Sequence, residues 1–266
     1  MKKIRFFCGQ KSIWEDALTG TKMINLIVID EEAICENGLL LPGCGEVLRM
    51  LADEGILIAV NTHRSYFSVK KTFSGLIKSM VFICDDGAVM MKNGTLLYMG
   101  VINRRTLSQF KKTAESLSGT EMFLDLKDGN IKVAGENAAP LSSVTEEIAK
   151  ITLYCENSGA ALLDITPNLH VNRLRISYFD ESVIEIVDAA SSRHSSLAAL
   201  MRRFGIASSE TAAFLFNEAS IPLISLAAVS MAPADAPFEL RDHIAHICKS
   251  VPAELLKILK HYVKQG

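Results

Sequence analysis

Three short apolar segments of this chain each run into side chains able to handle phosphate. Ile24 to Ile29 (INLIVI) leads into Asp30, Glu31 and Glu32. Ile56 to Val60 leads into Asn61, Thr62, His63 and Arg64, and Met80 to Cys84 into Asp85, Asp86 and Gly87. A carboxylate can attack as a nucleophile, and a second can act as acid or base. A hydroxyl and a cation can hold phosphate oxygens, while Mg²⁺ screens the negative charge. Each group also has a plainer use. Asp30 and Glu32 could be a solvated pair, Thr62 could cap a helix, His63 could fill a loop, and Asp85 and Asp86 suit a turn.

Such residues need a frame that brings strand ends together. The three apolar runs are rich in β-branched residues, as expected of parallel strands buried on both faces. Between the first two, Gly45 to Glu54 has a helical apolar stripe of Val47, Leu48, Leu51 and Ala52, with Gly55 as its stop. A helix over Tyr66 to Ile77 links the second strand to the third. Strand and helix alternating at this spacing imply βαβ units and a parallel sheet. Ligands of such sheets sit beyond the carboxyl ends of the strands.

The texture changes after residue 88. Asn93-Gly94 and Asp128-Gly129-Asn130 each predict a hairpin. A helix is expected over Thr106 to Leu117 and another over Val144 to Asn157. Strands are expected near Ala161 to Ile165, Arg173 to Phe179 and Val183 to Val187. Hairpins with helices predict an α+β insert. The parallel texture resumes with a helix over Ser195 to Phe204, a strand over Thr211 to Phe216 and a second apolar run, Leu223 to Val229. A closing helix follows from Ala253 to Val263. The expected division is an extension over residues 1–23, a core of 24–88 with 189–266, and a cap of 89–188. The extension holds the single tryptophan, Trp14, and an optional edge strand over Ile4 to Cys8.

Composition narrows the function. The 266 residues carry 28 Lys+Arg against 30 Asp+Glu, and 49% are hydrophobic. The near balance excludes a broad polyanion-binding face, hence a nucleic-acid partner. No apolar run reaches the roughly 20 residues needed to span a bilayer, and no leader peptide is evident, so a cytoplasmic location is expected. The six cysteines are scattered without a C-x-x-C pair, as in a chain of reduced thiols. His243, His246 and Cys248 (RDHIAHIC) read as a helix face rather than a zinc site.

The order INLIVID-EE, GEVLRMLADEGILIAVNTHRSY, MVFICDDGAV resembles the haloacid dehalogenase superfamily. It is most similar to the Cof-type, subclass IIB branch. That resemblance covers nearly the whole chain from about residue 24. It implies a Rossmann-like α/β core with an inserted α+β cap of type C2B, and a phosphatase working through an aspartyl-phosphate on a small phosphorylated metabolite. It places Asp30 on the nucleophile and Glu32 on the acid/base. Thr62, with His63, Arg64, Asp86 and Gly87 beside it, falls on the phosphate-binding loops, and Arg193 falls on a lysine. The chain departs from the pattern at Ala33 and Ile34, at His63, and in the late acidic loop. There Leu215-Phe216 and Ala219-Ser220 replace Gly-Asp and Asn-Asp. Mg²⁺ would rest on Asp30, the Glu32 carbonyl and Glu218, the last only if the loop shifts by about two residues. Two readings follow: a working phosphatase, or an inactive relative that binds a phosphometabolite, a protein partner or a second copy of itself.

Overall fold

In a computed structural model, residues 24–126, 129–244 and 246–263 are described. The expectations for residues 1–23 lie outside them. The chain opens with strand β1 (Leu26–Asp30), the single turn α1 (Glu31–Ile34), and a small hairpin of β2 (Cys35–Glu36) and β3 (Leu39–Leu40). Helix α2 (Cys44–Asp53), strand β4 (Leu57–Asn61), helix α3 (Tyr66–Thr72) and strand β5 (Met80–Cys84) follow. Then comes the hairpin of β6 (Val89–Lys92) and β7 (Thr95–Met99). The second unit holds α4 (Arg104–Ser116), β8 (Glu121–Leu126), β9 (Gly129–Ala134), β10 (Lys150–Tyr154), α5 (Ser158–Val171), β11 (Leu174–Phe179) and β12 (Val183–Asp188). The chain returns through α6 (Arg193–Phe204), β13 (Thr211–Phe214), β14 (Val229–Pro233), α7 (Phe238–Arg241), β15 (His246–Cys248) and α8 (Val251–Val263).

Eight strands form the core sheet in the order β15-β14-β13-β1-β4-β5-β6-β7, parallel from β15 to β5. Side chains of β1 alternate between its two faces. Ile27 and Ile29 pack with Leu48, Leu51 and Leu255 of α2 and α8, while Leu26 and Val28 pack with Leu197 and Leu200 of α6. Both faces are covered, which is why β1 reads as an unbroken apolar run. The β6–β7 hairpin pairs with β5 and joins this sheet. Its turn is as expected, but it extends the core rather than opening the cap at residue 89.

The cap is a five-stranded antiparallel sheet, β11-β12-β10-β8-β9. Met122, Leu124, Ile151, Leu153, Ile184 and Ile186 pack on one face with Phe110 of α4 and Ile165 of α5. The residues between them, including Asp125, Lys150 and Glu185, therefore point away from that core, toward the site.

Two cap elements differ from the sequence expectation. The expected helix over 144–157 contains β10, because KITLY is β-branched and aromatic and is the middle strand of its sheet. The expected strand near 161–165 lies inside α5. Asn157 caps that helix at the Ala160 amide, and Ser158, Ala161, Ile165 and Leu169 form its buried stripe. Pro167 within it and solvent-facing Leu163 and Val171 disguise the period. Elsewhere α3 stops at Thr72 rather than Ile77. The run from Leu223 is the end of a 3-10 helix, Glu218–Leu226, that precedes β14. His246 and Cys248 lie on strand β15, not on a helix. Among the described residues no helix is long and apolar enough to cross a membrane.

Candidate active site

Asp30 closes β1 beside Asn61, its register partner at the end of β4. It is fully buried, and every direction around its carboxylate is taken. Oδ1 accepts from Asn61 Nδ2 at 2.8 Å, Ser220 Oγ at 2.8 Å and Arg193 Nη1 at 3.5 Å. Oδ2 accepts from the amides of Phe216 at 2.8 Å and Asn217 at 3.1 Å. A carboxylate offers about four lone-pair sites, so these donors saturate it. Burial holds its carboxyl above the usual range, against the opposing pull of Arg193 and the two amides.

The next two acids part company because α1 begins at once, and successive helical side chains point in different directions. Glu31 faces Thr62 and Arg64 of the phosphate-loop positions, and Glu32 faces His63. Glu31 is buried, accepts from the Thr62 hydroxyl at 2.6 Å and pairs with Arg64 Nη1 at 2.5 Å. The Thr62 oxygen also accepts from the Arg64 amide at 3.0 Å. Thr62 and Arg64, two of the residues matched to phosphate binding, are thus held by an acid that sequence reasoning passed over. Its signal was present: an acid between Asp30 and Glu32. Glu32 instead lies 3.3 Å from His63 Nδ1. Burial opposes its charge, but His63 and Arg193 hold its carboxyl below the ordinary value. His63 stacks on Tyr178 of the cap, with centroids 5.5 Å apart and planes 15° apart.

After β5 the backbone takes three left-handed residues, Asp85, Asp86 and Gly87. A Cβ on Gly87 would lie 2.2 Å from the Ser192 carbonyl, so only glycine lets α6 approach here. Ser192 and Ser195 cap α6 reciprocally, which starts the helix at Arg193. From there Arg193 reaches Asp86 through Nε at 2.6 Å and Ser220 through Nη1 at 2.9 Å. Arg175, on β11 of the cap, donates to the Asp86 carbonyl at 3.0 Å and lies 3.7 Å from its carboxylate. Asp85 turns instead to Lys150 of β10, 3.0 Å away. Lys150 also meets Asp125 at 3.2 Å, Glu185 at 2.9 Å and the His63 carbonyl at 3.2 Å. Burial pushes the Asp85 carboxyl up to about 6, although Lys150 pulls it down. Burial works against the Lys150 charge, yet its three acids hold its ammonium well above the ordinary value.

Around this centre stand seven carboxylates, Asp30, Glu31, Glu32, Asp85, Asp86, Asp125 and Glu185. The cations paired with them are Arg64, Lys150, Arg175 and Arg193. Each of these cations is already engaged, and the surplus is negative. A phosphate ester entering here would meet acids rather than free cations.

The residues present do not fit Mg²⁺. That ion takes oxygen ligands at roughly 2.0–2.1 Å in an octahedron. Both Asp30 oxygens are faced by N–H and O–H donors, which present the wrong end of their dipoles to a cation. Glu218 is exposed, at the start of its 3-10 helix, whereas Asp30 is sealed. Among the described residues no cluster of three His, Cys, Asp or Glu side chains could hold a metal. Phe216 gives its amide to Asp30, and its ring lines an adjacent cavity of about 560 Å³ with Glu32, Leu41 and Val251.

No family model matches the chain, and no curated protein matches it in sequence. Solved structures do match in fold. A haloacid dehalogenase-like hydrolase from Bacteroides thetaiotaomicron superposes with TM-score 0.78 at 13% identity, covering 88% of this chain and 99% of its own. A phosphatase of the same superfamily and organism gives 0.73 at 16%, covering 92% and 97%. A subclass IIB sugar phosphatase gives 0.68 at 14%, covering 91% and 99%.

Proposed function

The chain has the haloacid dehalogenase fold with a Cof-like cap, and from that premise we propose that it is a non-hydrolytic protein of this fold that acts by binding. The observation that carries this reading is the saturation of Asp30. A nucleophile needs a free lone pair aimed at phosphorus, and the Asp30 lone pairs face Asn61, Ser220, Arg193 and the amides of Phe216 and Asn217. The remaining groups have moved into structural roles. Glu31 holds Thr62 and Arg64, Arg193 joins Asp86 to Ser220, and Lys150 and Arg175 tie the cap to the core. The surplus of carboxylates favours a neutral or cationic ligand, or a protein surface, over a phosphorylated metabolite.

The phosphatase reading is separated by one experiment. Hydrolysis of an aryl phosphate and a panel of sugar phosphates is measured with Mg²⁺, for the wild type and Asp30→Asn. The expected result is no turnover above the variant. Asp30→Asn should instead lose about 2–3 kcal/mol in urea unfolding, since an amide cannot accept from every donor around it. Turnover in the wild type that vanishes in Asp30→Asn overturns the proposal.

A further inference from the structure

The junction of cap and core holds a buried carboxylate with one oxygen short of a donor. Asp85 is 3% exposed. Its Oδ1 lies 3.0 Å from Lys150 Nζ but accepts no hydrogen bond among the described residues. Counting donors gives the reason. An ammonium has three N–H groups, and four acceptors crowd Lys150 Nζ. They are Glu185 at 2.9 Å, Asp85 at 3.0 Å, and Asp125 and the His63 carbonyl at 3.2 Å. The directed bonds go to Glu185 and the His63 carbonyl. A buried acceptor without a donor is costly, so it points to a ligand that supplies one. Asp85 and Asp125 line a cavity of about 40 Å³, with the exposed Glu147 and the apolar Met91, Met99 and Leu126 among its other walls. That volume admits roughly three atoms the size of a water molecule. Neither Asp30 nor any of its donors lines this cavity.

We propose that this cavity binds a small primary amine in its ammonium form, its N–H groups donating to Asp85 and Asp125 and its carbon resting on Met91, Met99 and Leu126. Charge selects it first. Among the described residues Lys150 is the cation paired with Asp85, Asp125 and Glu185, and a water in the cavity would add donors without reducing the surplus. Burial pushes the Asp85 carboxyl up to about 6 even with Lys150 beside it, as expected of an anion short of donors. Geometry selects it next. No three His, Cys, Asp or Glu side chains among the described residues are placed to hold a metal ion. An ammonium instead reaches separate acids through bonds that point in different directions. Methionine walls adapt to a short alkyl group. The inference deepens the binding reading and rests on its preference for a cationic ligand, not on the geometry at Asp30.

The test uses the full chain at pH 8, with methylammonium chloride as probe and calorimetry and thermal unfolding as readouts. Methanol, tetramethylammonium chloride and NaCl at equal concentration are the controls. Methylammonium is expected to bind at one site and raise the Tm. Methanol lacks the charge, and tetramethylammonium lacks N–H groups and is too large, so neither should act beyond NaCl. Asp85→Asn should weaken binding by at least roughly tenfold. Ala149→Val narrows the cavity and keeps its acids; it should weaken binding too, and it decides the matter if Asp85→Asn does not fold. Methylammonium without effect beyond NaCl, as in a cavity that holds only water, overturns the proposal. Binding that a folded variant of either kind leaves unchanged also overturns it. Phosphate-ester turnover lost in Asp30→Asn would sink the non-hydrolytic reading and leave this site standing. Absence of both turnover and methylammonium binding would do the reverse.

Discussion

Two buried ion clusters lie side by side in this molecule and solve the same problem differently. Around Asp30 the charge is met by directed donors: two amides, a carboxamide, a hydroxyl and a guanidinium. Around Lys150 one ammonium faces three carboxylates, Asp85, Asp125 and Glu185, contributed by a core loop and two cap strands. The first cluster is satisfied by hydrogen bonds, and the second is short of positive charge. Burial raises an acid in each: the Asp30 carboxyl stands above the usual range against Arg193 and two amides, and the Asp85 carboxyl is pushed up to about 6 against Lys150. Burial and donors oppose each other: burial prevails at Asp30 and Asp85, and the facing His63 and Arg193 prevail at Glu32.

The largest blow to this comparison comes from Lys150→Met. It leaves three buried acids without their cation at the junction of cap and core, and should cost about 3–5 kcal/mol in urea unfolding at neutral pH. A loss below about 1 kcal/mol would mean that the cluster is hydrated and not structural.

A smaller effect follows from pH. Asp85 has its folded pKa raised from 3.8 to about 6. The folded chain thus keeps a proton that the unfolded chain loses first. The stability from that proton is complete below about pH 4 and is lost as pH rises toward 6. Asp85→Asn, which keeps the shape without the charge, should remove that slope and match or exceed the wild type at pH 7. A wild-type slope of the opposite sign between pH 4 and 6, surviving in wild type but absent in Asp85→Asn, would reverse the ranking of the two clusters.

The smallest effect belongs to Glu218. It is exposed and outside both networks, so Glu218→Gln should change stability by no more than about 0.5 kcal/mol. Its Tm should also show no new response to Mg²⁺. A metal-dependent difference between the two chains would restore Glu218 to the site.

Legibility in the sequence followed the range of the forces. The strands β1, β4 and β5 were readable because burial on both faces leaves a continuous β-branched run. The Asn93-Gly94 turn was readable because it is local chemistry. Within the cap, local signals conflicted: Pro167 sits inside α5, and the helical reading of 144–157 yielded to the central place of β10 in its sheet. At the site the sequence located Asp30, Thr62, Arg193 and Asp86 in one region, and the structure brings them together. Glu31 was not singled out, and it is the acid that holds Thr62 and Arg64, while Glu32 lies against His63. Lys150 and Arg175 were not singled out at all, because each is an ordinary cation on an ordinary strand until the cap sheet is placed.

The amino-acid sequence by itself determined the parallel core, the inserted cap and the acids at the strand ends, all of which depend on patterns a few residues long. Only the tertiary structure decided what those acids do. Asp30 meets Arg193 and Ser220 across 163 and 190 residues of chain, and Asp85 meets Lys150 when alternate residues of the cap sheet turn toward the core. Pairing of buried charges depends on distance and direction in space. The carboxylate at the end of β1 meets donors that lie far from it along the chain and reach it only in the folded molecule.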